Sequence, residues 1–375
     1  MRRRNFLTLA GAVALSTAGR SAAQTIIGPG EPSAAERTAM ADQAHAFMQQ
    51  YSVPGLSVAV GHMGRLLYRE AFGWANRELE EAATPAHLFR IGSVSKTITS
   101  TALFTLIEDG RLKLGDKVFG PGTVLGNDYA TSAPYATHVN EITIEQFLTH
   151  ASGGWPNDGT DPMFNSMRAP HWELIAASLG QPLKNPPGQA FLYSNFGFCV
   201  LGRVIEKVSG RPYADYVRDR VLARCGIGDM AIANNRWAER HKGEVKYYGQ
   251  NGEDAYWPNV TRLDSCGGWV ASPTDLVQFG MNVGRILKPE TVATMTTASL
   301  QNPLYAKGWS VDGAHTRWHG GSLPGTKAIL VHRSSGFCWA AIANSRDKQS
   351  RKSFMQRDML TLLRTMVAQV ESWRT

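Results

Sequence analysis

The feature that most limits how this chain can fold is where its strand-like and helix-like stretches fall. Runs of strand length lie at the two ends: Leu56–Val60 and Arg65–Phe72 near the start, and Lys307–Val311, Ala328–Arg333 and Phe337–Ala343 near the finish. Stretches of helical period lie between them. The first two runs are joined by His62-Met63-Gly64, a turn signal. Hairpins near both termini that belong to one sheet, with a helical insert between, account for this order, and the chain is read as α/β of the α+β type. The expected division is 24–110 and 262–375 in a sheet-containing α/β part, with 111–261 as the mostly helical insert.

Individual helices are legible from their stripes and ends. Ala34–Gln50 is the first. After Ser95, the stripe Ile98, Ala102, Leu103, Leu106 and Ile107 stops at Asp109-Gly110. Residues 115–190 are rich in Gly, Pro, Asn and Trp and hold only short pieces, Ile144–Leu148 and Trp172–Leu179. Phe196, Val200, Leu201, Val204, Ile205 and Val208 form a clean stripe closed by Gly210, and Pro212 opens a further helix over Tyr213–Ala223. Beyond Asp264 comes a strand-like Gly-Gly-Trp-Val-Ala, then a helix start at Ser272-Pro273, and a long last helix begins at about Ser350.

Composition excludes several classes. With 375 residues, 43% of them hydrophobic, the chain is long enough for one large or two ordinary domains, and 37 Gly and 18 Pro are too few for a collagenous or disordered chain. The net charge of +8 hints at nucleic acid, but the first 23 residues carry Arg2, Arg3, Arg4 and Arg20 and no acid. Setting those four aside from the 39 basic residues leaves 35 against 31 acidic ones, with no dense basic run, so no nucleic-acid partner is expected. The same 23 residues have a charged start, a modestly apolar Phe6–Ala18 and small Ser21-Ala22-Ala23, the layout of an export signal cleaved near Gln24. Paired arginines before x-Phe-Leu resemble the twin-arginine type, which places the mature chain in the periplasm or outside the cell. No later stretch is long and apolar enough for a stable membrane anchor. Cys199, Cys225, Cys266 and Cys338 match no zinc spacing, and buried free thiols are the simplest reading of them. His315 and His319 fall in a strand-like stretch, so no metal is expected; phosphate-loop and dinucleotide signatures are absent, so no cofactor is expected either.

What remains is a serine paired with a lysine. Ser93-Val94-Ser95-Lys96 stands where the Ile98–Ile107 helix begins, and residues three apart on a helix share a face, so Ser93 Oγ and Lys96 Nζ can meet. A serine hydroxyl needs a base to take its proton before it can attack a carbonyl, and the amides at a helix start favour a developing oxyanion. Ser345-Arg346-Asp347-Lys348 has the same spacing but no apolar stripe behind it. Tyr193-Ser194-Asn195 is the only Y-x-N in the chain and directly precedes the Phe196–Val208 helix; His319-Gly320-Gly321-Ser322 follows between strand-like runs.

In that order these three motifs resemble the serine β-lactamase and penicillin-recognising peptidase superfamily, in its class C-like branch. Ile144–Gly153 and Gly267–Ser272 carry the likeness over most of the chain. The resemblance implies an antiparallel sheet flanked by helices plus a helical domain, with the site in the cleft between them. It implies that Ser93 attacks a carbonyl to form an acyl-enzyme, and that Lys96 and Tyr193 share the work of base, Tyr193 as a phenolate stabilised by Lys96. Asn195 would bond Lys96 or the substrate's acyl amide, and the amides of Ser93 and Ser322 would bind the oxyanion. Gly320 and Gly321 would let the strand edge approach the substrate, His319 would face the cleft and donate a bond to it, and Trp155, Phe191 and Trp318 would wall the acyl pocket.

One residue departs from the β-lactamase pattern. Lysine usually stands where this chain has His319, and its charge holds the drug's carboxylate; histidine is mostly neutral at pH 7. Histidine there resembles carboxypeptidase, D-aminopeptidase and esterase members instead. The expected substrate is thus a small ester or a D-amino-acid peptide, with a β-lactam as the alternative. A reading of another class is a non-catalytic peptidoglycan-binding or scaffold protein of the same fold. Nothing in the sequence bears on oligomeric state.

Overall fold

The structure is a computed structural model that describes residues 30–313, 315–347 and 354–373. The expected export signal, its cleavage point and the expected start of the last helix at Ser350 lie outside the described residues. Helix α1 (Ala34–Tyr51) opens with a capping box in which Ser33 and Glu36 exchange side-chain-to-backbone bonds. The hairpin β1 (Gly55–His62) and β2 (Arg65–Asn76) follows, then the short β3 (Glu81–Ala82) and β4 (Phe89–Arg90). From the other end come β7 (Ser310–Val311), β8 (Thr316–Leu323), β9 (Thr326–Arg333) and β10 (Phe337–Ala343).

All of these strands except β4 make one seven-stranded antiparallel sheet in the order β3-β2-β1-β10-β9-β8-β7. Its centre is the pairing of β1 with β10, from Leu56 opposite Ala343 to His62 opposite Phe337, which ties the two ends of the chain together. Side chains alternate between faces. Val58, Val60, Val331, Trp339 and Ala341 pack with α1 and α11 (Met355–Gln369) in one apolar cluster. Ala59, Leu330, Cys338, Ala340 and Ile342 belong to the other, larger cluster with α2 (Ser95–Glu108) and the later α9 (Pro273–Ile286).

The middle of the chain supplies α3 (Ile144–Leu148), α4 (Pro162–Asn165), α5 (His171–Leu179), α6 (Asn195–Ser209) and α7 (Tyr213–Val217), with a two-residue strand β5 (Ala231–Ile232). After it come α8 (Asp264–Gly267), β6 (Trp269–Ala271), α9 and α10 (Pro289–Thr296). Strand β6 lies between β4 and β5 in a second small sheet. The larger apolar cluster runs without a break from Ala59 on the main sheet through Phe119, Phe147 and Phe196 to Ile342, so the middle segment shares its core with the sheet.

Helix α2 is the hub: Ser95 to Leu106 are all buried. Its threonines fit there because their hydroxyls bond within the protein, Thr97 to Val94 O just ahead of the helix, Thr101 to Thr97 O within it and Thr99 to Ser265 O. Two expected elements change. Only Ser310–Val311 of the expected strand 307–311 pairs, because Gly308 turns the chain at φ 82. The helix expected over Tyr213–Ala223 stays α-helical only to Val217 and then widens into a π turn at Arg218–Leu222.

The α11 face should be removable in increments of stability. Leu363, fully buried against the sheet, should cost about 2–5 kcal/mol when changed to alanine, read by urea denaturation.

Candidate active site

The serine stands where β4 runs into the helical layer. Gly92 takes φ 51, a conformation that suits glycine, and the turn Gly92–Val94 delivers Ser93 to the start of α2. Lys96 follows one turn on and is fully buried. Its Nζ donates to Ser93 Oγ at 3.0 Å, to Asn195 Oδ1 at 2.8 Å and to the carbonyl of Cys266 at 2.6 Å. Three acceptors match the three hydrogens of an ammonium group. A buried cation without them would carry a penalty of several kcal/mol, so the lysine draws α2, α6 and α8 to one point.

Asn195 is itself held in one orientation. Its Nδ2 donates to Asn157 Oδ1 at 3.0 Å and to Asp161 Oδ2 at 2.8 Å, which leaves its oxygen for the lysine. Asp161 is buried; burial pushes its carboxyl above the usual carboxylate range, and the bonds from Asn195 and from Met163 N pull the other way. Asn157, Asp161 and the Cys266 carbonyl carry no recognisable motif: the first two lie in a polar loop of 115–190, and a backbone oxygen leaves no signature in a sequence.

Tyr193 is half-buried, with the Lys96 ammonium over its ring face, 5.0 Å from the centroid. Its phenol oxygen has no hydrogen-bond partner among the described residues, so lysine and phenol are neighbours without the direct bond that a shared-base arrangement suggests. The far wall of the site is the outer edge of β8. Strand β7 pairs only with Arg317 and Trp318, which leaves His319–Leu323 without a strand on that side among the described residues. A Cβ placed on Gly92 would lie 2.8 Å from Ser322 N, and one on Gly321 would lie 1.9 Å from Ile91 O and 3.2 Å from Ser93 N. The absence of side chains at these two glycines is what brings the amides of Ser93 and Ser322 together.

Several expectations need correction. Gly320 does not open the strand to a substrate: a Cβ there would point at the end of the Gln356 side chain of α11, on the face of the sheet away from Ser93. His319 is 4% exposed, and both ring nitrogens are occupied, Nδ1 with Gly320 O at 2.7 Å and Nε2 with Tyr305 Oη at 3.1 Å. It therefore has no free hydrogen to offer a substrate. Trp318 packs with the α1–α11 cluster across the sheet, and Trp155 is core, its ring 4.5 Å from that of Phe196 and its Nε1 donating to Ser178 O. Of the three aromatics, Phe191 alone stays half-buried near the site, 5.5 Å from Tyr305 between ring centroids. Ser345 is buried after β10 and donates to Tyr248 O, while Lys348 of that second serine–lysine pair lies outside the described residues. All four cysteines are free and buried, with burial holding Cys266 and Cys338 up at about 12. Among the described residues no group of three or more His, Cys, Asp or Glu side chains could hold a metal ion.

A model of the beta-lactamase family matches residues 40–360, and the chain belongs to that family. It is similar to protein flp of Staphylococcus aureus strain MW2, 23% identical over 313 residues that make up 79% of this chain and 61% of that protein. The chain thus spans about three-fifths of the length of that relative. The solved structure of D-amino acid amidase from Ochrobactrum anthropi SV3, complexed with L-phenylalanine amide, superposes with a TM-score of 0.74 at 22% identity, covering 91% of this chain and all of that one. The octameric penicillin-binding protein homologue from Pyrococcus abyssi superposes with a TM-score of 0.71 at 23% identity, over 88% of this chain and 77% of that one. These likenesses establish the β-lactamase/transpeptidase fold for the main sheet and its helices.

Asp161 gives the site its most specific test. Asp161→Ala should free the Asn195 amide to turn and misplace Lys96, lowering kcat on a p-nitrophenyl ester by up to about 10²-fold, the scale of a misplaced reacting group. Circular dichroism of the same variant should show the native fold.

Proposed function

We propose that this protein is a serine hydrolase that cleaves esters or amides through an acyl-enzyme on Ser93. The observation that carries the reading is the buried Lys96 ammonium between Ser93 Oγ and Asn195 Oδ1. Hydrophobic packing has no use for such a group, and a surface ion pair would not be sealed this way.

In the proposed sequence Ser93 Oγ attacks the substrate carbonyl carbon and its proton passes to the Tyr193 phenolate. The Lys96 ammonium lies over the ring of that phenol, 5.0 Å from its centroid. The carbonyl oxygen, now negative, accepts hydrogen bonds from the amides of Ser93 and Ser322. As the tetrahedral species collapses, Tyr193 returns the proton to the departing alcohol or amine, and the acyl group stays on Ser93. Water then attacks the ester with Tyr193 as base again, releasing the acid and restoring the hydroxyl. The free edge of β8 gives an amide-bearing substrate a strand to lie against.

The substrate class we favour is a small ester or a D-amino-acid amide or peptide. Among structures of the same fold is a D-amino acid amidase, and His319 stands where β-lactamases carry a cation. The N-terminal 23 residues support export, which would place the enzyme in the periplasm or outside the cell.

A panel of p-nitrophenyl butyrate, D-phenylalanine amide, a D-alanyl-D-alanine peptide and nitrocefin tests the reading. Turnover should appear on the ester or amide and exceed that on nitrocefin. Ser93→Ala should lower turnover by roughly 10⁴-fold or more and Tyr193→Phe by about 10²–10⁴-fold. Full activity in Ser93→Ala would overturn the proposal, and a folded wild type inert on every substrate would favour the non-catalytic binding reading.

A further inference from the structure

Two of the family-like motifs are joined by residues that the proposed chemistry does not use. His150 follows α3 with φ 57, a left-handed conformation that a histidine holds only when its surroundings fix it. Its carbonyl accepts from Leu192 N at 2.7 Å and its Nδ1 accepts from Ser194 N at 3.1 Å. The residues on both sides of Tyr193 thus hang on His150, whose ring lies 4.1 Å from that of Tyr193. From His150 Nε2 the next partner is Tyr305 Oη at 3.0 Å, and from there His319 Nε2 at 3.1 Å. His319 Nδ1 closes the chain on Gly320 O at 2.7 Å.

The two ends fix where every hydrogen is. Ser194 N can only donate, so His150 Nδ1 is bare and Nε2 carries its hydrogen. Gly320 O can only accept, so His319 carries its hydrogen on Nδ1. Tyr305 accepts from His150 and has one hydrogen to give, which goes to the bare Nε2 of His319. The bonds all run one way, and a proton added to either ring would set two donors against each other.

We propose that this one-way chain, Ser194 N to His150 to Tyr305 to His319 to Gly320 O, positions Tyr193 against β8 and keeps His319 uncharged, so that the site selects substrates without a carboxylate beside the scissile bond. This rests on the hydrolase reading given above and narrows its substrate class to neutral esters and amides. Tyr305 and His150 are positioning residues. Among the described residues, the ionisable groups facing His319 are Lys96 on α2, Tyr193 ahead of α6 and Tyr305, with His150 beyond it, and no carboxylate is among them. Burial and the Lys96 charge hold His319 down at about 3 and push His150 the same way. Two further cations lie by Ser322: Arg346, 3.3 Å from its Oγ and itself bound by Glu253, and Lys327, the residue paired with Ser322 on β9. An unfolded histidine takes up its proton near 6.5 while the folded ring does not, so the fold should lose stability as pH falls from about 6.5 towards 3.

Long-range ¹⁵N NMR of the histidine rings reads the chain without reference to activity. His150 should appear as the Nε2–H form and His319 as the Nδ1–H form, neither titrating between pH 5 and 8. Tyr305→Phe removes the single hydroxyl that links them. In that variant His319 loses the donor that fixes its tautomer and should take up a proton at a higher pH than in the wild type, with burial and the Lys96 charge still holding it below its ordinary value. Below that pH the ratio of kcat/KM for nitrocefin to that for p-nitrophenyl butyrate should rise by about 10-fold or more, as a charge-assisted bond to the carboxylate becomes available. Adding His319→Gln should abolish the rise. Wild-type rings that titrate between pH 5 and 8, or a folded Tyr305→Phe variant with unchanged tautomers and an unchanged pH profile, would overturn the proposal. If Tyr305→Phe does not fold, the wild-type ring spectrum decides. A wild type with the stated tautomers but no turnover would instead count against the hydrolase reading.

Discussion

The site depends on the burial of one ammonium group. A lysine nitrogen cut off from water must find three acceptors or cost several kcal/mol, a large share of the stability a typical domain has. Lys96 finds Ser93 Oγ three residues before it, and Asn195 Oδ1 and Cys266 O, 99 and 170 residues further along the chain. Meeting that requirement brings the start of α2, the start of α6 and the short α8 together, and the seat of the serine follows from it. The sheet does the complementary work: pairing β1 with β10 joins the chain's ends, and β9 then carries β8 alongside the Gly92–Val94 turn.

Local contacts dictated by small residues complete the site. Gly92 and Gly321 lie back to back, and a methyl group on either would meet backbone atoms of the other segment. The same strand puts Gly320 under Gln356 and turns His319 inward to Tyr305, so successive residues of one motif serve opposite faces of the sheet.

Much of this is legible in the sequence, and the parts that are not share a physical cause. The terminal hairpins, α2, α6 with its Gly210 stop and α9 with its Ser272 cap stand out because periodicity and capping are local signals. The pairing of Ser93 with Lys96 is also local, being one helical turn. Residues such as Asp161 and Tyr305 are set by contacts with partners 34 and 14 positions away, in loops with no period to read. Trp318 shows the converse failure. Its neighbours in sequence belong to the site, yet strand alternation sends its ring to the α11 face. The change of α7 into a π turn after Val217 has no breaker in the sequence to mark it.

The central claim is that Ser93, set by Lys96, is the nucleophile. Labelling the purified protein with a fluorophosphonate, digesting it and mapping the adduct by mass spectrometry tests this most directly. The account predicts one phosphonyl group, on the peptide containing Ser93, and no adduct in Lys96→Ala. An adduct on another serine, or none in the folded wild type, would contradict it.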